Sequence, residues 1–417
     1  MTCNPSHAHV LCVGGEDHHL RVPFLLELRR TGLRITAAGT GDPAPFSRAG
    51  LDYRPFRFDR FLNPVQDHAS IHQLEEILKD VNPDVVQSFD TKPNVLVPLA
   101  SRAIPLVRVV RTINGMGWVY SSRSPLALAL RPVQRALHRR ASRMTDITVF
   151  QNSRDKAFFE QNGLVTRERS ILIPGSGVDV ARFDDSLADG PAAERLRAEL
   201  GLGNAPVVVT VTRLTRQKGI PTLLKAAQRV HCLRPEVRFL LVGPRESEGR
   251  LAVSQRELDR HSHYVIATGP RDDVPALLRM ADIFAFPTEY REGVPRALLE
   301  AALAGLPIVT TNMPGCDDVV HNGRSGLLVP PRAPRLLAEG IMDLLADRVA
   351  AKNMGCLAST HVRQNFGLQL TVARYREVYR TILDSASVAS SLATASMSDG
   401  SEAGAPLPHR LVFSDRV

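Results

Sequence analysis

Short apolar runs alternate along most of this chain with longer amphipathic stretches, the pattern of a parallel α/β fold. His9 to Val13 reads as a strand that runs into Gly14 and Gly15. From about Leu20 to Thr31 the apolar positions Val22, Leu25, Leu26 and Leu28 fall at helical spacing, and Gly32 ends the stretch. Arg34 to Ala38 continues the alternation as a strand. Asp84 to Ser88 and Val107 to Ile113 read as buried strands, and the second delivers Asn114-Gly115-Met116-Gly117-Trp118 at its end. Asn152 to Asn162 predicts a helix and Ser170 to Ile173 a strand, which leads into a turn at Gly175 to Asp179 that includes Gly177.

After this turn the chain becomes small and acidic, ARFDDSLADGPAA, which is linker composition. The boundaries expected are a first domain over 1–183, a linker over 184–190 and a second domain over 191–366. A last amphipathic helix is expected over 367–383, and the polar segment 384–417 reads as a disordered tail. Pro334 to Ala346 and Val349 to Phe366 predict the helices that close the second domain.

Within that domain, Ala281 to Pro287 is an apolar run that reads as a buried strand, and Thr288 to Gly293 as a loop. Pro295 takes the place of a first helical residue, Arg296 to Ala304 repeats at helical spacing, and Gly305 with Pro307 stops the helix before a strand at Pro307 to Thr311. In such a βαβ unit, ligands bind beyond the carboxyl ends of the strands, where helix N-termini offer N–H groups to phosphate. Glu292, Gly293, Val294 and Pro295 occupy that point. Glu300, about two turns along the helix, is a second carboxylate able to accept paired hydrogen bonds from the vicinal hydroxyls of a ribose or a hexose. Pro206 to Ala227 is a β-branched strand, a loop with Arg213 and Lys218, and a helix opened near Pro221. Two cations leaving one strand can neutralise the charge that grows on a departing diphosphate; the alternative is a solvated basic loop.

Together these segments resemble the retaining glycosyltransferases of family 4. The resemblance is carried by Arg213, Lys218 and Gly219, by Glu292, Gly293, Glu300 and Ala301, and by the ordered text Gly305 to Val309, Pro314-Gly315-Cys316 and Gly326 to Pro330. It is strong from Pro206 to Pro330 and looser elsewhere. It implies the GT-B architecture, two Rossmann-like domains facing across a cleft, with the first binding acceptor and the second a nucleotide sugar. It also implies that Arg213 and Lys218 hold the donor diphosphate, that Glu292 contacts the transferred sugar, that Glu300 holds the ribose, and that the turn at Gly177 and Asp179 lies beside the donor. The wording EGVPRALLEA with MPGC is similar to a bacterial branch that extends polyprenyl-diphosphate-linked glycans. That branch has Arg-Glu after the Gly-Cys, where this chain has Asp317 and Asp318. Many members carry a histidine where Asn114 stands here.

Other readings of the first half stay open. Gly14 and Gly15 admit a close backbone approach to a sugar or phosphate, or simply punctuate strand and helix. Trp118, the only tryptophan, can stack on a sugar, sit at a membrane surface or fill the core. Between Asp90 and Asp146 there is no acidic residue, while Ser101 to Thr145 holds nine arginines. The segment Ser124 to Arg143 mixes leucines with Arg131, Arg135, Arg139 and Arg140, a composition for an anionic bilayer or a polyprenyl diphosphate. Nucleic acid is not expected, because no helix-turn-helix, zinc or RNA-reading aromatic motif accompanies the charge.

The net charge of +9 fits the same picture, and no apolar stretch approaches the ~18 residues of a membrane span. The first residues lack the basic and apolar regions of a signal peptide, and five scattered cysteines fit a reducing compartment. The expected location is therefore cytoplasmic, peripheral at the inner face of the membrane. No Asp-x-Asp pair occurs, so cations rather than a metal ion are expected to hold the donor, most simply a UDP-sugar. The alternatives are a GT-B nucleotide-sugar 2-epimerase, a transferase for a soluble acceptor, and a non-catalytic nucleotide-sugar-binding protein.

Overall fold

The computed structural model describes residues 7–59, 63–175, 177–187 and 190–398, which divide into two compact units. The first comprises residues 1–115, 128–173 and 371–417, and the second residues 116–127 and 174–370.

The first unit is built on seven strands: β1 (His9–Val13), β2 (Arg34–Gly39), β3 (Asp52–Pro55), β4 (Val85–Phe89), β5 (Arg108–Ile113), β6 (Ile147–Phe150) and β7 (Ser170–Leu172). They pair in parallel in the order β3-β2-β1-β4-β5-β6-β7. Every residue of β1 and β4 is buried, which is why their sequences run apolar without alternating. The helical stretch expected from Leu20 is in two pieces, a 3-10 turn over Glu16–Arg21 and an α-helix over Val22–Arg30. Pro23 in the first α-helical turn explains the break, since there its missing N–H costs the helix no hydrogen bond.

The second unit repeats the plan with β8 (Val207–Val211), β9 (Arg238–Val242), β10 (Val265–Gly269), β11 (Ile283–Phe286), β12 (Ile308–Thr311) and β13 (Leu327–Val329). Their order is β10-β9-β8-β11-β12-β13, again parallel. Each sheet therefore reverses direction of growth once, between β1 and β4 in one and between β8 and β11 in the other. At such reversals the loops leaving the strands diverge and open a crevice.

The boundaries differ from those read in the sequence. Of the expected linker, residues 184–186 belong to the helix Val180–Ser186 and residue 190 opens the helix Gly190–Glu199, while 188 and 189 lie outside the described residues. The last helix does not end at residue 383: it spans Leu368–Ser398. Residues 399–417 of the expected tail lie outside the described residues. From Thr371 that helix belongs to the first unit, where Tyr375 Oη lies 2.8 Å from Thr112 Oγ1 and Tyr379 donates to Gln87 Oε1 at 3.2 Å.

Candidate active site

The loops that leave β8 and β11 flank the reversal of the second sheet. After β8 the chain passes Arg213, turns through Lys218 and enters the helix Ile220–Leu233. Gly219 caps this helix with φ of 72°, and a Cβ there would sit 1.8 Å from the Pro287 carbonyl oxygen, so only glycine lets the turn close on the end of β11. That closure sets Lys218 beside Glu292. The ammonium Nζ lies 2.6 Å from Glu292 Oε1, with only 9% and 19% of the two side chains exposed. Thr288 Oγ1 donates to the same oxygen at 3.0 Å and is itself fully buried. Lys218 and Glu292 thus form one mostly buried charge pair at the crevice.

Gly293 is held by a second glycine contact. A Cβ on Gly315 would come within 1.6 Å of the Gly293 carbonyl oxygen, which accounts for the Pro-Gly-Cys text across the loop. Asp318 Oδ2 accepts from the Gly315 N–H at 3.3 Å, so the aspartate that departs from the branch pattern braces this turn. Val294 is buried in the core of the unit. Pro295 is the cap before the helix Arg296–Leu303, with ψ of 121°, rather than its first residue; no side chain caps that helix end. Extended ψ before the first helical residue is what a capping position requires.

The other two predicted donor residues have different partners. Arg213 Nη1 donates to Glu248 Oε2 at 3.1 Å, and Arg296 Nε to Glu300 Oε1 at 2.8 Å. Glu292 and Glu300 are therefore each paired with a cation of their own, Lys218 and Arg296. Gly177 adopts φ of 77°, Val178 exchanges backbone hydrogen bonds with the 366–368 segment, and Asp179 caps the helix Val180–Ser186 by accepting from Arg182 N at 3.1 Å. Trp118 lies half-buried on the short helix Gly117–Ser121, which contributes no buried residue, so core filling is not its role. Ser121 Oγ accepts from Arg291 N at 2.9 Å, tying that helix to the Glu292 loop within the second unit.

In the first unit the reversal lies between β1, which delivers Gly14 and Gly15, and β4, which delivers Asp90. A Cβ on Gly14 would strike the His18 ring at 2.2 Å. Asp90 accepts from Gly15 N at 2.9 Å, from Arg21 Nη2 at 2.7 Å and from Asn114 Nδ2 at 3.1 Å. Burial pushes its carboxyl up, but Arg21 and the Gly15 N–H outweigh this and hold it below the ordinary aspartate value. Asn114, where many members of the resembling family carry a histidine, is thus fixed by a carboxylate; Gly115 follows with φ of 108°. Sequence reading missed Asp90 and Glu248. For Asp90 a signal existed, its place directly after β4 beside β1 in the sheet; for Glu248, on a turn far along the chain, there was none.

On the helix Pro125–Arg143, Arg135 lies over the Phe158 ring at 5.6 Å and Arg139 donates to the carbonyls of Asn162 and Gly163. These two arginines, expected to contact a membrane, are engaged within the first unit. Arg140 is exposed, as are Leu126 at 63% and Val133 at 48%; the three recur at intervals of seven along the helix. No helix among the described residues is long and apolar enough to cross a membrane.

Comparison with known proteins agrees with this arrangement. Residues 24–175 match the family described as glycosyl transferase 4-like domain, and residues 193–359 match glycosyl transferases group 1. The chain is 25% identical over 374 residues, 89% of its length and 97% of the relative's, to N,N'-diacetylbacillosaminyl-diphospho-undecaprenol alpha-1,3-N-acetylgalactosaminyltransferase of Campylobacter jejuni. It is 29% identical to a GDP-mannose-dependent alpha-(1-6)-phosphatidylinositol monomannoside mannosyltransferase of Mycolicibacterium smegmatis, over 68% of this chain and 72% of that one. It is 28% identical to UDP-Gal:alpha-D-GlcNAc-diphosphoundecaprenol alpha-1,3-galactosyltransferase of Escherichia coli, over 65% and 68%. Among solved structures, Anabaena Alr3699/HepE superposes with a TM-score of 0.73 at 21% identity, covering 89% of this chain and all of that one. With a glycosyltransferase family model over each parallel-sheet unit and the repeated strand order of the GT-B fold, the chain belongs to the family 4 glycosyltransferases.

Proposed function

We propose that this glycosyltransferase moves a hexose or N-acetylhexosamine from a UDP-sugar to a polyprenyl-diphosphate-linked glycan, with retention at the anomeric carbon and without a metal ion. The observation that carries the reading is the charge cluster at the β8–β11 reversal, where Arg213, Lys218 and Glu292 leave adjacent parallel strands. In this reading the donor's diphosphate lies against Arg213 and Lys218, which take up its growing negative charge as the glycosidic bond breaks. Glu292 meets the transferred sugar and Glu300 the ribose. The departing phosphate assists deprotonation of the acceptor hydroxyl, so no histidine is needed at Asn114.

The lipid-linked acceptor is supported by the names of the Campylobacter and Escherichia relatives, each of which acts on a diphosphoundecaprenol-linked sugar. UDP is supported by the Escherichia relative; the mycobacterial one uses GDP-mannose, so both nucleotides belong in the test. The exposed Leu126, Val133 and Arg140 support peripheral attachment to an anionic membrane face.

The decisive assay measures nucleoside diphosphate released from UDP- and GDP-sugars, with and without a membrane extract containing polyprenyl-diphosphate sugars, in EDTA. Release that requires the extract and survives EDTA is expected. Release without extract would replace the proposal with epimerase or hydrolase chemistry, and loss in EDTA would overturn metal independence. Arg213→Ala and Lys218→Ala should each lower kcat on the order of 10²-fold, as removal of a transition-state donor does.

A further inference from the structure

The loop that follows β9 packs against the segment that carries Arg213. Leu214 N donates to Pro244 O at 2.8 Å, Arg216 N to Leu251 O at 3.1 Å and Val253 N to Leu214 O at 2.9 Å, and Thr215 bridges Ala252. The 213–216 and 251–253 segments therefore form one small antiparallel clasp. Gly243 opens it, packed so closely on Thr212 that a Cβ would lie 2.0 Å from its carbonyl oxygen. At the tip, Gly249 takes φ of 53° with ψ of −129°, a conformation that L side chains rarely adopt. No neighbour would obstruct a side chain at Gly249, so the glycine serves the backbone turn itself. The result is that Glu248, with 11% of its side chain exposed, directs Oε2 to Arg213 Nη1 at 3.1 Å.

Resting on the donor-site reading above, we infer that Glu248 is a specificity-determining carboxylate that competes with the donor's diphosphate for Arg213. A carboxylate and a phosphate offer a guanidinium the same geometry, so one displaces the other. With Glu248 in place, Arg213 is neutralised in the empty enzyme, and any ligand must exceed a single carboxylate's charge to capture it. A nucleoside diphosphate does so, whereas an uncharged nucleoside gains nothing from Arg213. After transfer, the waiting carboxylate also speeds departure of the spent nucleoside diphosphate by giving Arg213 an alternative partner. The role is opposite in sign to that of a supporting residue, whose loss would weaken binding.

The test is calorimetric titration of UDP, GDP and uridine into wild type, Glu248→Gln, Glu248→Asp, Arg213→Ala and the Arg213→Ala/Glu248→Gln double variant. Glu248→Gln is expected to bind the matching diphosphate about threefold to tenfold tighter than wild type, more so at low salt, with uridine unchanged. Glu248→Asp is expected to restore wild-type affinity, and the gain should vanish in the Arg213→Ala background. Unchanged or weaker binding by Glu248→Gln would overturn the inference while leaving the donor site intact, as would a gain that persists without Arg213. If neither diphosphate binds wild type, the donor-site reading falls and the competition with it.

Discussion

At the scale of single residues, the candidate site is organised by who neutralises whom. Lys218 and Glu292 are 2.6 Å apart and mostly buried, so neither charge can be removed without leaving the other desolvated. In the proposed mechanism the diphosphate takes over Lys218 and frees Glu292 for the sugar. Glu292→Gln should then lower turnover on the order of 10²-fold while UDP affinity holds or rises, because the lost carboxylate repels phosphate and Thr288 can still anchor the amide. Single-turnover kinetics beside UDP titration separates the two effects; a parallel loss of both would show that Glu292 only supports the loop. Asp90 plays the organising part in the first unit, with Gly15, Arg21 and Asn114 all donating to it.

At the scale of elements, the legible part of the sequence was the part whose physics is local. Runs such as Val207–Val211 and Ile308–Thr311 are apolar throughout because parallel strands are buried on both faces, and that is visible without neighbours. The glycines at 219 and 315 were visible as motif text, yet their reason is a carbonyl oxygen from another loop, which no spacing reveals. The partner of Arg213 was equally hidden, since Glu248 reaches it from a turn far along the chain, whereas that of Glu300 follows from helical spacing, Arg296 standing four residues before it on the same helix. The helix Pro125–Arg143 combines both cases: its amphipathic pattern was readable, while the engagement of Arg135 and Arg139 within the first unit was not. Among its exposed residues Leu126, Val133 and Arg140 line up as one stripe. If this stripe meets the membrane, Leu126→Asp with Val133→Asp should reduce sedimentation with vesicles containing anionic lipid by at least about tenfold, since each change takes an aliphatic group out of the lipid contact and adds a repelled charge. Thermal stability should be unaffected, both positions being exposed. Equal sedimentation of the variant would remove this helix from the attachment surface.

At the scale of the whole molecule, the first unit carries a protonation liability that the second lacks among the groups whose pKa is strongly displaced. His18 is enclosed behind Gly14, with Phe46 and Phe89 on its faces, and burial followed by Arg21 lowers its pKa to about 3. His138, edge-on to Phe159, is likewise lowered to about 3, first by burial and then by Arg111, a fully buried guanidinium bonded to Thr148 Oγ1 and the His138 carbonyl. Both imidazoles are neutral when folded and take up a proton near 6.5 once unfolded. The unfolded chain therefore binds more protons between pH 6.5 and about 3, and stability falls as the pH drops through that window. The slope is at most about 1.4 kcal/mol per pH unit for each histidine. Chemical unfolding followed between pH 7 and pH 4.5 should show a marked acid decline, and His138→Gln should flatten it by up to one histidine's share. Depressed carboxylates such as Asp90 add their own loss only below the ordinary aspartate range, so the upper part of the window isolates the imidazoles. A variant that declines as steeply as wild type above pH 4.5 would mean that His138 is protonated in the folded protein, and that the Arg111 charge beside it is offset by a group other than this neutral ring.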